Sequence, residues 1–275
     1  MPLTDFHVHL RPDEQPSPAD QYFTQTNAER YLTVAQERGI EILGVSEHIH
    51  RFRQSLEVWQ HPWWERNAVD DLDAYCEFVR STPLKLGIEA DFVPGREDRM
   101  ANLLEARDWD YVVGSVHFLR DEAVDMDEWD VWDSGDPEKV WARYFETLGE
   151  AAGSGMYDIL AHPDLVKVWG KERPWPGGDL RRFYDRAMDG IADSDVAIEV
   201  STAGLRKPVG EIYPARAFLE MCLEAGRPVA LSSDAHVPDQ LGHRYEVAVD
   251  YLRSLGVTEI ADFSGRRRTM IPLPA

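Results

Sequence analysis

The sequence predicts an α/β fold in which a parallel sheet closes into a barrel. Three observations carry this. Short apolar runs rich in β-branched residues alternate with longer amphipathic stretches, the pattern of βαβ units. The runs are almost continuously hydrophobic, as parallel strands covered on both faces are. Seven such units fit in 275 residues, a length that closed α/β barrels routinely occupy as one domain.

The strands in order are 3–8, 41–47 (EILGVSE), 84–90 (LKLGIEA), 111–117 (YVVGSVH), 157–162 (YDILAH), 196–201 (VAIEVS) and 228–233 (PVALSS). A shorter run at 259–263 (EIADF) is a candidate final strand. The clearest helix runs from Thr26 to Arg38: Thr26 is placed to cap it, Glu29 completes a capping box, and Gly39 stops it. Further helical patterns cover about 70–81, 96–107, 136–152, 179–192, 213–225 and 243–255. Two stretches fit neither period, the aromatic segment 50–69 and the Asp- and Trp-rich segment 118–135. Both follow strands, so both are expected as long loops at one end of the barrel, and long ordered loops tend to be functional.

A formal charge of −21 disfavours binding to nucleic acid or to anionic membranes, which reward basic surfaces. A small anionic substrate is compatible if metal ions invert the local field. The start lacks a basic segment followed by an apolar one, and no run of about 18 apolar residues occurs, so neither export nor a membrane span is expected. Cys76 and Cys222 are far apart and form no motif; they read as reduced thiols of a cytoplasmic protein.

The chemistry sits where the strands end. The first ends in His7 and His9, the second in Glu47 and His48, and the third carries Glu89. The fourth ends in His117, the fifth in His162, and the seventh leads into Asp234 and His236. The sixth offers only Ser201 and Thr202. In a parallel barrel these ends meet at one mouth, where barrel active sites lie. Residues i and i+2 of a strand share a face, so His7 and His9 point to one centre, and Asp234 and His236 do too if strand geometry persists. Imidazole with carboxylate suits zinc, iron or manganese. Eight candidates exceed the four ligands of one zinc site, which implies two or three ions with a carboxylate such as Glu89 between them. Two ions about 3.5–4 Å apart generate hydroxide at neutral pH and clamp an in-line displacement. Phosphate monoesters, among the slowest substrates to hydrolyse unaided, match that machinery.

The motifs HVH (7–9), SEH (46–48), GIEADF (87–92), GSVHF (114–118), AHPD (161–164) and SSDAH (232–236) together resemble the polymerase and histidinol phosphatase (PHP) superfamily of metal-dependent phosphoesterases. The resemblance spans nearly the whole chain, so residues 1–275 read as one PHP-type domain. GIEADFVPG (87–95) and STAGLRKPVGEIYP (201–214) look most like the histidinol-phosphate phosphatase branch. The resemblance implies a distorted TIM-like (β/α)7 barrel with up to three ions at the C-terminal mouth. It implies that His7, His9, Glu89 and Asp234 hold one ion, that Glu89 bridges to a second held by His117 and His162, and that His48 and His236 hold a third. It implies L-histidinol phosphate as substrate, within histidine biosynthesis. One position departs from the family pattern. Six residues after His9, where the third ion usually finds a further His or Asp, stands Gln15, with Asp13 and Glu14 adjacent as substitutes.

Glu47 either orients the His48 imidazole or faces solvent. His50, His61 and His243 are not expected as ligands. Arg206, after the sixth strand, is expected to clamp phosphate oxygens with its fork, and Lys207 and Lys167 are weaker candidates. The run 266–268 (RRR) reads as a solvated chain end, and Trp59, Trp63 and Trp64 read as core or loop packing, with walling of the pocket as the alternative. The proton donor for the leaving group is not identified. Three alternatives compete: a PHP enzyme acting on a nucleotide or another phosphoester, a metal-dependent amidohydrolase barrel, and a catalytically degenerate metal-binding module. The amidohydrolase reading needs a metal-bridging lysine at a strand end, whereas Lys85 begins its strand.

Overall fold

The computed structural model describes residues 3–12, 19–133 and 135–274. Asp13, Glu14 and Gln15 lie outside the described residues. Seven strands form one sheet in the order β1 (Leu3–Asp5), β2 (Ile40–Val45), β3 (Lys85–Asp91), β4 (Tyr111–Ser115), β7 (Ile159–Leu160), β8 (Ala197–Ser201) and β9 (Val229–Ser232). Every pairing along it is parallel. The two edges meet just past β1 and β9, where Val8 bridges Ala235 and the His9 amide donates to the Ala235 carbonyl at 2.7 Å. The result is the nearly closed, distorted seven-stranded α/β barrel that the alternation of runs predicts.

The helices between strands are α1 (Gln25–Glu37), α2 (Pro62–Asn67), α3 (Leu72–Arg80), α4 (Glu97–Glu105), α5 (Pro137–Gly153), α6 (Arg181–Ala192), α7 (Arg216–Glu224) and α8 (Tyr245–Ser254). The cap of α1 lies two residues before the expected one. Thr24, not Thr26, is the N-cap, and its hydroxyl accepts from the Asn27 amide at 3.2 Å. The helix ends as expected at Gly39, whose φ of 73° favours glycine. The aromatic segment 50–69 is less loop than the sequence suggests. It holds short 3-10 turns at Ile49–Arg51 and Arg53–Glu57 and then α2. Segment 118–135 opens with a two-residue hairpin, β5 (Phe118–Leu119) and β6 (Glu122–Ala123).

Side chains alternate as a sheet requires. On β4, Val112 faces the helices, whereas Tyr111 and Val113 join Phe6, Ile159, Ala161, Ala197 and Ala230 inside the barrel. Gly44 and Gly87 leave room for the Tyr111 ring; a Cβ at either would overlap it. The run at 259–263 does not join the barrel sheet. It becomes β10 (Glu259–Ser264), paired antiparallel with β11 (Arg267–Pro272). Phe263 of this hairpin packs edge-on against Phe6, with ring centroids 5.5 Å apart, and closes the end of the barrel where the strands begin. The basic run 266–268 is therefore not a free chain end: Arg266 pairs with Asp158 and Arg268 with Asp195, just before β7 and β8. With one end plugged, the other is left for function.

Candidate metal centre

All eight residues expected as ligands stand at the C-terminal mouth. Glu89, near the end of β3, is central. Its Oε2 lies 3.2 Å from His7 Nε2, 3.6 Å from His9 Nε2 and 2.5 Å from His48 Nδ1. Its Oε1 lies 3.3 Å from His162 Nε2 and 3.5 Å from His117 Nε2. Asp234 Oδ1 lies 3.7 Å from His7 Nε2, 3.5 Å from His9 Nε2 and 3.5 Å from His236 Nδ1. The His236 and His48 rings bring their Nε2 atoms to 3.4 Å.

Three sets of donor atoms are each close enough to surround one ion: His7, His9 and Glu89; Glu89, His117 and His162; His9, His48 and His236. The first set shares Glu89 with the second and His9 with the third. These sets come from the described residues, and Asp13, Glu14 and Gln15 lie outside them.

The chemistry of the donors fits divalent ions. His7 Nε2, both ring nitrogens of His9 and Glu89 Oε2 are buried and make no hydrogen bond among the described residues. Polar atoms buried in that way are rare without a partner, and these converge. Electrostatics point the same way. Burial alone would raise the Glu89 carboxyl, but the His48, His7 and His117 imidazoles hold it well below the usual range. Asp234 is likewise held low against its burial, by His7, His9 and His236. Burial would lower His7, yet Glu199, Glu89 and Asp234 hold it well above the usual imidazole range. For His117, Asp91 and Glu89 overcome burial and push the imidazole up to about 10. A strongly negative pocket that stabilises positive charge on its own histidines is a pocket that attracts cations.

Three carboxylates stand behind the mouth. Glu199 of β8 accepts from His7 Nδ1 at 2.7 Å, from the His162 amide at 2.5 Å and from Ser232 Oγ at 2.6 Å. Asp91 holds His117 Nδ1 at 2.8 Å. Glu47 neither orients His48 nor faces solvent. It is fully buried, accepts from the Leu10 amide at 2.6 Å, pairs with Arg51, and lies 3.9 Å from His9 Nδ1. Reading strand ends missed Glu199 and Asp91. A lone acid inside the apolar run VAIEVS is the signal that marks Glu199, since i+2 periodicity sets it above Ala197 on the inner face.

Arg206 has neighbours other than a cavity. One of its terminal nitrogens donates to the Ser233 and Asp234 carbonyls at 2.9 and 2.8 Å. Asp234 and His162 both have positive φ, 49° and 24°, a costly conformation, and the Arg206 and Glu199 hydrogen bonds fall on those two residues. Lys167 is buried between Asp164, at 2.9 Å, and Glu211, at 3.2 Å. Lys207 lines a cavity of about 600 Å³ that opens on the cluster, together with Arg11 and Arg51. Trp63, Phe118 and Trp169 supply its apolar wall; Trp63 thus does more than pack.

His50, His61 and His243 join none of the three sets. Burial pushes the His50 imidazole down to about 3, despite Asp91 nearby. His61 caps α2 through Nδ1, which accepts from the Trp63 amide at 3.2 Å. Lys85 reaches Asp262 at 2.5 Å at the plugged end, away from the donor sets, so it is not the bridging lysine of an amidohydrolase.

Comparison with known proteins agrees with this geometry. The PHP domain family model matches residues 22–203. That stretch contains His48, Glu89, His117 and His162; the fold adds His7, His9, Asp234 and His236 from outside it. The chain is 34% identical over 263 residues to a Deinococcus radiodurans protein named "Probable histidinol-phosphatase", covering 92% of this chain and 94% of that one. It is 25% identical over 190 residues to the histidinol-phosphatase of Bacillus subtilis, covering 63% of this chain and 71% of that one. In fold it resembles the crystal structure of histidinol phosphate phosphatase from Lactococcus lactis complexed with zinc, L-histidinol and phosphate. The TM-score is 0.69 at 19% identity, over 97% of this chain and 98% of that one. A barrel mouth built from these motifs and a match over most of two independent comparisons lead to one conclusion: the chain belongs to the PHP domain family, in its histidinol-phosphatase-like branch.

Proposed function

We propose that this protein is a metal-dependent phosphoric monoester hydrolase that releases phosphate from L-histidinol phosphate, in histidine biosynthesis and in the cytoplasm. The observation that carries the reading is the run of three donor sets that share Glu89 and His9 beside one cavity. His7, His9, Glu89 and Asp234 would hold one ion; Glu89, His117 and His162 a second; His48 and His236, with His9 alongside, a third. Zinc, iron and manganese all suit such donors.

Ions bound there would make water nucleophilic at neutral pH and neutralise charge on the phosphoryl group. The chain's own residues do the rest. Glu199 and Asp91 hold the His7 and His117 rings so that their Nε2 atoms face Glu89. Arg206 fixes the turn that carries Asp234, a positioning role in place of the phosphate clamp. Lys207 brings positive charge to the cavity that the phosphate must enter, whereas Arg11 and Arg51 on the same wall are paired with Asp70 and Glu47. The Trp63, Phe118 and Trp169 wall takes the organic part and excludes water.

The test is phosphate release by metal-loaded protein over a panel of L-histidinol phosphate, nucleoside monophosphates and sugar phosphates. The reading expects the highest kcat/KM on L-histidinol phosphate. Turnover of another ester without turnover of that one removes the substrate and keeps the class.

A further inference from the structure

We propose that Asp125 forms a subsite for a cationic nitrogen on the alcohol part of the substrate, so that the site selects phosphate esters of amino alcohols. The inference rests on the phosphatase reading and deepens it.

Segment 118–135 rises from β4 beside the cluster and is rich in acids. Three of them are paired with arginines: Asp127 and Asp130 with Arg173 at 3.0 and 2.7 Å, and Glu128 with Arg66 at 2.6 Å. Asp125 differs from the other acids of the segment in facing the cavity. It lines the cavity, its Oδ1 is enclosed, and that atom has no hydrogen-bond partner among the described residues. Asp125 is half-buried, and an enclosed carboxylate oxygen without a partner is costly unless a ligand completes the group.

The position is built, not incidental. The Val124 carbonyl accepts from two indoles, Trp132 Nε1 at 3.1 Å and Trp169 Nε1 at 2.8 Å. The Val124 amide donates to the His117 carbonyl at 2.9 Å. The backbone that presents Asp125 is thus pinned from three sides, next to a histidine of the cluster.

Three ligand classes can be weighed by charge. A phosphate would be repelled. A metal ion would need further donors, and Asp125 belongs to none of the sets of converging donor atoms. A protonated amine satisfies the carboxylate and sits well beside the aromatic wall of Trp63, Phe118 and Trp169. Asp125 then takes the amine, and the cation-attracting cluster is left for the phosphate. A substrate with an ammonium group a few bonds from its ester oxygen is oriented by both at once.

The experiment compares wild type with Asp125→Asn, both metal-loaded, on L-histidinol phosphate and on the matched ester that lacks the amino group. L-histidinol binding by calorimetry and metal content by elemental analysis are measured in parallel. Loss of a buried charge partner predicts a fall of about 10–100-fold in kcat/KM on the amine-bearing ester, chiefly through KM. The amine-free ester should change less than about threefold, L-histidinol affinity should fall, and metal content should not change. The proposal is overturned if both esters lose activity equally, or if the variant loses metal. It is also overturned if wild type turns over the amine-free ester as well as the amine-bearing one, a result that leaves the phosphatase reading intact. Preference for a different amino-alcohol phosphate, lost in the variant, removes L-histidinol phosphate as substrate and supports the subsite.

Discussion

Glu199 shows how much a single side chain can organise from behind a site. It holds the His7 ring, the His162 amide and the Ser232 hydroxyl, and so it fixes residues of two different donor sets through one buried carboxylate. Partners of this kind set the tautomer and basicity of a ligand histidine, and losing one costs about 10–100-fold in metal affinity. Glu199→Gln should weaken zinc binding by that order in a chelator competition assay while its far-UV circular dichroism stays that of the wild type. Unchanged affinity would contradict the role. At this scale the sequence was legible where a residue's function follows from where it stands. A histidine at the end of a parallel strand can only face the mouth. It was illegible where function depends on a neighbour across the barrel. Arg206 follows a strand, as a phosphate clamp would, but its fork turns to the Ser233 and Asp234 carbonyls. Glu47 stands next to His48 in sequence, yet it serves Arg51 and the chain beside His9.

The elements owe their order to close packing inside a narrow barrel. Tyr111 fills the interior only because β2 and β3 present Gly44 and Gly87 to its ring. Gly87→Ala forces a methyl group into that ring, and overpacking of this kind costs about 1–3 kcal/mol; urea unfolding should show a lower midpoint with an unchanged slope. A midpoint equal to that of wild type would mean that the ring is free to move. The helices make a second, independent claim. Burial pushes the thiols of Cys76 on α3 and Cys222 on α7 up to about 12. A raised pKa favours the protonated form in the folded chain, so at pH 8 almost no thiolate exists, against an ordinary pKa of about 8.5. Both should resist Ellman's reagent at pH 8 in the native protein, with reactivity emerging only on unfolding or as pH climbs towards 12. Rapid native labelling of both would contradict the packing of α3 and α7. Helices and parallel strands were readable from period and apolar runs. The cap of α1 was misplaced because Thr24 and Thr26 are equivalent as residue types; only the backbone tells which one lies outside the helix. The final run at 259–263 was read as a strand but not as a plug, since nothing local says that it pairs back on β11 instead of joining β9 or β1.

At the scale of the whole molecule, one asymmetry explains the rest. The β10–β11 hairpin closes the end where strands begin, and its basic run is tied down by Asp158 and Asp195. The opposite end gathers histidines from five strand ends and carboxylates from four strands around Glu89. No helix among the described residues is long and apolar enough to cross a membrane. The surplus of acid that gives the chain its charge of −21 is in part functional, because it is what lets a buried cluster hold cations. That distribution was legible as a pattern of strand ends before any geometry was known. The place of Glu89 between two donor sets was legible as well; the sharing of His9 between two sets was not, because it depends on the barrel closing at Val8 and Ala235. The central claim is that these sets form a shared metal centre, and metal stoichiometry tests it most directly. Elemental analysis of protein purified without chelators should find two or more ions per chain. Glu89→Ala, shown to be folded by circular dichroism, should lose both positions that Glu89 joins and retain at most one ion. A folded Glu89→Ala variant that keeps the full wild-type complement would contradict the account.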